Sequence, residues 1–143
     1  MKDICQCLFE YLTSSKELAT KVGRKVFPLI MPQETLLPAI VYSPINASYD
    51  SALSGDTGYT RQTIQFNCHD KTFKKARELS RIVKKLLQDY TGDMNGVNIQ
   101  SVFVKSDFML NGNTADKYAT EEFMAVIEFE MCFNEERGAQ VKK

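Results

Sequence analysis

The sequence predicts an α+β fold: a mostly antiparallel sheet of about five strands, two helices packed on one of its faces, and the order α-β-β-β-α-β-β. Three observations lead there. Between residues 71 and 90, Phe73, Ala76, Leu79, Val83, Leu86, Leu87 and Tyr90 recur at helical spacing among lysines and arginines. Between 123 and 134, Phe123, Ala125, Ile127, Phe129, Met131 and Phe133 alternate strictly, leaving Glu128, Glu130 and Asn134 on the other face. Finally, Pro28, Pro32 and Pro38 exclude a helix from residues 26–42. Amphipathic helices and one-sided strands bury their apolar faces against each other, which yields a two-layer domain.

The elements follow in order. Residues 3–22 read as helical, with Ile4, Leu8, Tyr11 and Leu12 on one stripe and Leu18 and Val22 continuing it. Thr13-Ser14-Ser15 breaks the run, and Ser14 with Glu17 forms a capping-box pattern for a second piece. Gly23 ends it. Val26-Phe27 and Ala39–Tyr42 read as short strands around an extended loop, and Pro44 points to a sheet edge or bend. Residues 47–58, rich in Ser, Asp and Gly, read as a loop. From Tyr59 to Cys68, Ile64, Phe66 and Cys68 alternate with Arg61, Thr63, Gln65 and Asn67, as in a half-buried strand. Asp70 is the expected cap of the long helix Lys71–Tyr90, and Gly92 its stop. A strand is expected over 97–108, with Val102 and Val104 opposite Phe103. Asn111-Gly112-Asn113 then opens a polar loop reaching Glu121. The closing strand exceeds the usual length of about 5–6 residues, so it is either central or extends past the sheet to pair with a neighbour. Residues 1–136 form one domain, and 137–143 are expected to be a disordered polar tail.

The 143 residues carry 18 basic and 18 acidic side chains and no net charge. That excludes a generically basic nucleic-acid binder and a highly charged disordered chain. The balance hides segregation. Residues 71–90 carry net +5, residues 91–136 net −7, and the rest +2. Solvated faces, a nucleic-acid-binding helix, or complementary patches on neighbouring copies of a head-to-tail ring all fit this pattern. The candidates are Lys74, Arg77, Arg81 and Lys84 on the helix, and Glu128 and Glu130 on the strand.

No reaction chemistry emerges. The N-terminus lacks the apolar core of a signal peptide, and no window is apolar enough to span a membrane. Such a chain is expected in a cytosol-like compartment. Cys5 and Cys7 lie ~200° apart on a helix and cannot chelate from one face. With Cys68 and Cys132 they read as free thiols. Cys68, His69 and Asp70 are adjacent, but consecutive strand residues point apart, so His69 reads as a polar turn residue. Glu128 and Glu130 share a face at ~7 Å, and solvation is their default reading. No GxGxxG, Walker A, GxSxG or HExxH pattern occurs. A non-enzymatic protein without metal or cofactor is expected.

One resemblance spans most of the chain. Val26-Phe27-Pro28, Pro32-Gln33 and Pro38-Ala39-Ile40-Val41-Tyr42 resemble the opening signature of the tail-completion family of long-tailed bacteriophages and prophages. The likeness continues in order through Leu53-Ser54-Gly55, Arg61, Ile64-Gln65-Phe66, Ala76, Leu79, Gly92, Gly96 and an aromatic near the end of the last strand. It implies a small protomer that assembles into a homo-oligomeric ring, commonly a hexamer. The ring would cap the tail tube, stop its growth and make the head–tail joint. Implied partners are further copies, the tail-tube protein and the head connector protein, with DNA only as passing cargo and no membrane. Implied locations are the virion tail and, before assembly, the host cytoplasm. No catalytic residues carry over. The two family loops match 47–58 and 107–122, and make Tyr49, Asp50, Leu53, Gly55, Asp56, Tyr59, Asn111, Asn113 and Lys117 assembly candidates. Glu128 and Glu130 could line a DNA channel. Alternatives are a head-side connector or stopper, and a stand-alone ligand-binding or regulatory domain.

Overall fold

Two short helices open the chain. In the computed structural model, which describes residues 3–52, 55–111 and 122–134, α1 spans Ile4–Thr13 and α2 spans Lys16–Val22. Asp3 caps α1 by accepting from the Cys5 N–H. The α2 cap is Ser15, which accepts from the Leu18 N–H, and not Ser14, which closes α1 through its N–H to the Glu10 carbonyl. Two adjacent serines can each start a helix, and the end of α1 decides between them. Gly23 ends α2 at φ 62°, where a side chain would be strained.

Among the described residues six strands follow, not five. They are β1 (Val26–Pro28), β2 (Ala39–Ala52), β3 (Gly55–Asp70), β4 (Gly92–Met94), β5 (Val97–Asn111) and β6 (Phe123–Asn134). The long helix α3 (Phe73–Leu87) lies between β3 and β4. The sheet order is β1-β2-β3-β6-β5-β4. Only β1 and β2 pair in parallel; the other pairs are antiparallel. The expected fold class holds, with a third helix and a small sixth strand added. The extra strand β4 uses the Asn95-Gly96 turn, both at positive φ, to fold onto the start of β5.

Local caps shorten the long helix. Asp70 is the last residue of β3, and its Oδ1 accepts from the Lys71 N–H. Thr72 is the true cap, accepting from the Lys75 N–H at 3.2 Å. At the other end Gln88 leaves helical geometry, so α3 stops before Tyr90. Its buried face, including Ala76, Leu79, Ile82, Val83 and Leu87, packs on β3 and β6.

The closing strand is central. β6 pairs with β3 from Tyr59↔Asn134 to Asp70↔Phe123 and with β5 over the same length. Of the two alternatives for this strand, the structure selects the central one, and no free edge is left for pairing with a neighbour: both its edges are used. Ala125, Ile127, Phe129, Met131 and Phe133 are fully buried beneath the helices with Ile40, Tyr42, Ile64 and Phe66. Phe66 anchors this layer, stacked on Tyr42 and edge-on to Phe129.

The expected loop at 47–58 is corrected as well. Residues up to Ala52 continue β2, and residues from Gly55 begin β3. The polar composition signals a loop only when no partner is present. Here the ladder set by Ala39–Pro44 against Ile64–His69 simply continues outward. Likewise, 107–111 belongs to β5 and not to the second polar loop.

Candidate functional site

The described candidates fall into three places: the far end of the β2–β3 hairpin, the outer face of the sheet, and the outward face of α3.

The hairpin carries Tyr49, Asp50, Gly55, Asp56 and Tyr59 on its two strands. Beyond Tyr59↔Asn134 its strands pair only with each other among the described residues, so it reaches past the sheet body as a two-stranded arm. At its base, the Tyr59 phenol is shifted upward, chiefly by hydrogen bonding with the Cys132 thiol and then by burial. Leu53, Asn113 and Lys117 lie outside the described residues, and Asn111 is the last residue of β5.

The outer face holds Glu128 and Glu130, on the side of β6 opposite the helices. Neither is left to solvent alone. Glu128 accepts from Gln65 Nε2 at 2.9 Å and from Ser106 Oγ at 3.0 Å. Glu130 pairs with Arg61 at 3.3 Å, and the neighbouring Lys105 donates to Thr63 Oγ1 at 3.2 Å. The two carboxylates are thus part of a polar ladder across β3, β6 and β5, with two cations beside them. This does not make an acid–base pair, and the face is not uniformly negative.

The outward face of α3 brings Lys74, Arg77 and Arg81 together. With Phe73 and Glu78 they line a shallow groove of about 310 Å³. Lys84 is exposed on the same helix. Two other charges of α3 are tied to α2, through Lys85–Glu17 at 2.7 Å and Lys21–Glu78 at 3.7 Å. Because α3 covers one side of the sheet and the glutamates lie on the other, the basic and acidic candidates do not meet within one protomer.

The thiols and the histidine have structural surroundings. Burial pushes Cys5 up to about 11, with Asp3 adding to it, and raises Cys68 further. Cys7 donates to the Met94 carbonyl at 2.8 Å. Protonated thiols of this kind are poor nucleophiles. His69 lies in β3 rather than in a turn, and its Nδ1 contacts Glu122. Among the described residues no cluster of His, Cys, Asp and Glu could hold a metal ion, and no helix is long and apolar enough to cross a membrane.

Periodicity alone did not find a fourth feature: exposed apolar side chains at the sheet edges. Of the eight large exposed ones among the described residues, Leu29, Ile30, Leu36 and Ile45 sit on the β1–β2 side. Phe103, Phe108 and Leu110 sit on β5, and the remaining one, Phe73, is on α3. Phe103 did carry a signal, since it opposes the buried Val102.

Comparison with known proteins supplies the context. No curated protein matches the chain. Among 14 solved chains that match is one from the virion of a native gene transfer agent particle. It is 12% identical, has a TM-score of 0.70, and covers 89% of this chain and 91% of its own. That likeness shows a shared fold. The family described as "Tail completion protein gp17" matches residues 6–128, nearly the whole folded region. The chain therefore belongs to the tail completion protein gp17 family and is a structural, non-enzymatic protein of phage-tail assembly.

Proposed function

We propose that this chain forms a homo-oligomeric ring, with six copies as the family expectation, at the head-proximal end of the tail tube. There it terminates tube growth and makes the head–tail joint. The observation that carries this reading is the β2–β3 arm. A two-stranded hairpin running past Tyr59↔Asn134 continues beyond the last pairing with β6 among the described residues, which is more than the sheet body itself uses. An arm of this kind suits contact with a second protein, either a further copy or the terminal tube subunits. The Tyr49, Asp50, Gly55 and Asp56 positions are its contact candidates, with Tyr59 at its base. Leu53, Asn113 and Lys117 remain candidates of the same kind.

Charge supports the same reading. The groove formed by Lys74, Arg77 and Arg81 is displayed on the side opposite Glu128 and Glu130. Patches on opposite sides of a protomer can set orientation among stacked or adjacent subunits. DNA enters as cargo passing through the ring. Before assembly the protomer resides in the host cytoplasm, and afterwards in the virion tail.

Deleting the coding sequence and imaging the resulting particles tests the role. A terminator predicts overlong, headless tail tubes. Tubes of normal length beside leaking filled heads would assign the head-side stopper role instead. Normal particles would support a domain that acts outside the virion.

A further inference from the structure

The sheet has two long edges that nothing covers among the described residues. On one side, β1 pairs only with Ile40–Tyr42, so β2 is open from Ser43 to Ala52. Pro44 fits this edge. Ile40 donates to Lys25 and Tyr42 accepts from Leu29, both away from β3, and Pro44 shares their orientation, so its missing N–H leaves no ladder bond unmade. On the other side, β4 pairs only with Val97–Ile99. The α3 end adds two bonds, Asp89 N–H to the Val102 carbonyl and Val104 N–H to Gln88 Oε1. From Lys105 to Asn111 the β5 edge is open.

Both open edges carry exposed apolar side chains, Ile45 on one and Phe108 and Leu110 on the other. An isolated domain gains nothing from such edges, which are templates for further pairing.

We infer that the β5 edge of one copy pairs antiparallel with the β2 edge of the next, so that the ring is held by one continuous sheet. This rests on the ring reading above and specifies its interface. The occupant is a second copy because the two edges complement each other. β2, β3, β6 and β5 alternate in direction, so a rotated copy presents β5 antiparallel to β2 without reversal. A closed ring then consumes both long open edges, which a foreign strand on one side would not do.

The stagger is also that of a closed barrel. Ser48, midway along one open edge, is level with Cys132 of β6, and Phe108, midway along the other, is level with Val126. Bringing them together shifts neighbours by about six residues, or ~20 Å, across four strands ~19 Å wide. The strands would tilt by about 45° to the ring axis, close to the tilt of closed barrels.

Site-specific photocrosslinking tests this on tails assembled in cells. Phe108→p-benzoylphenylalanine replaces one exposed aromatic with another, and an unchanged melting temperature confirms folding. Irradiation should give dimers of this chain attached within residues 43–52 of the second copy. The reciprocal substitution Ile45→p-benzoylphenylalanine should attach within 105–111. Attachment to the tail-tube protein, attachment elsewhere in this chain, or no cross-link in visible rings would overturn the edge pairing. Absence of any ring of this chain at the tail end would overturn the functional reading and the pairing with it.

Discussion

The two faces of one sheet are built on different physics. Towards the helices, β6 presents Ala125, Ile127, Phe129, Met131 and Phe133, all without solvent contact. Away from them, the same strand presents Glu128 and Glu130 in a ladder with Arg61, Gln65 and Ser106. The difference teaches where stability and assembly reside. Dry apolar contact supplies the folding free energy. Partly exposed polar pairs such as Arg61–Glu130 contribute little to folding. The edges between the two faces carry what the monomer does not need.

The largest effect should come from the covered face. Phe129→Ala removes a ring wedged against Phe66 and leaves a cavity that rigid strands cannot close. A loss of about 3–5 kcal/mol in denaturant unfolding is expected. A loss below ~1 kcal/mol would mean that this face is loosely packed, and the contrast between faces would fail.

A smaller effect should appear in alkali. Burial holds the Tyr42 phenol, which donates to the Cys5 carbonyl at 2.9 Å, up to about 12, and raises the Cys5 and Cys68 thiols. In the unfolded chain these groups ionise near 9 for the thiols and 10 for the phenol. Above pH 9 the native state therefore binds more protons than the unfolded one, and stability falls as pH rises. The contribution is complete below pH 9 and is lost progressively towards pH 12. Thermal melting across that range checks it, and Tyr42→Phe should flatten part of the decline. A melting temperature constant to pH 12 would remove the buried-proton account.

The smallest effect belongs to the outer face. A double-mutant cycle on Arg61→Ala and Glu130→Ala should give a coupling below ~1 kcal/mol, shrinking further in salt. A coupling of several kcal/mol would show that the polar ladder is a stability element after all.

Long periodic segments were legible in the sequence because their large apolar side chains repeat on one side. Phe123 to Phe133 spell out a strand with one apolar face, although Val126 and Cys132 on the other face are buried as well, and Ala76 to Leu87 a helix with one dry stripe. Elements whose neighbours decide them were not legible. Ser14 and Ser15 are equivalent caps by composition, and only the final N–H of α1 selects between them. Asp70 and Thr72 compete for the start of α3, and the length of β3 excludes Asp70. Residues 47–52 and 55–58 have the composition of a loop and the structure of a hairpin. Their strand conformation comes from register with one another, which no single-residue preference encodes.

The candidate site divides the same way. The basic stripe Lys74–Lys84 and the acidic pair Glu128–Glu130 were visible as types and spacings. Their placement on opposite sides of the sheet was not, since it depends on which face α3 covers. The open edges were invisible for a further reason. An edge is defined by strand order, and β6, last in the chain, inserts between β3 and β5. The sequence by itself determined the α+β class, the core stripes and the likeness to tail-completion proteins, because periodic burial and ordered local signatures are written residue by residue. Only the tertiary structure decided that the last strand is central and that β2 and β5 are the exposed rims. Pairing between strands distant in sequence is a property of the assembled sheet and of no strand alone.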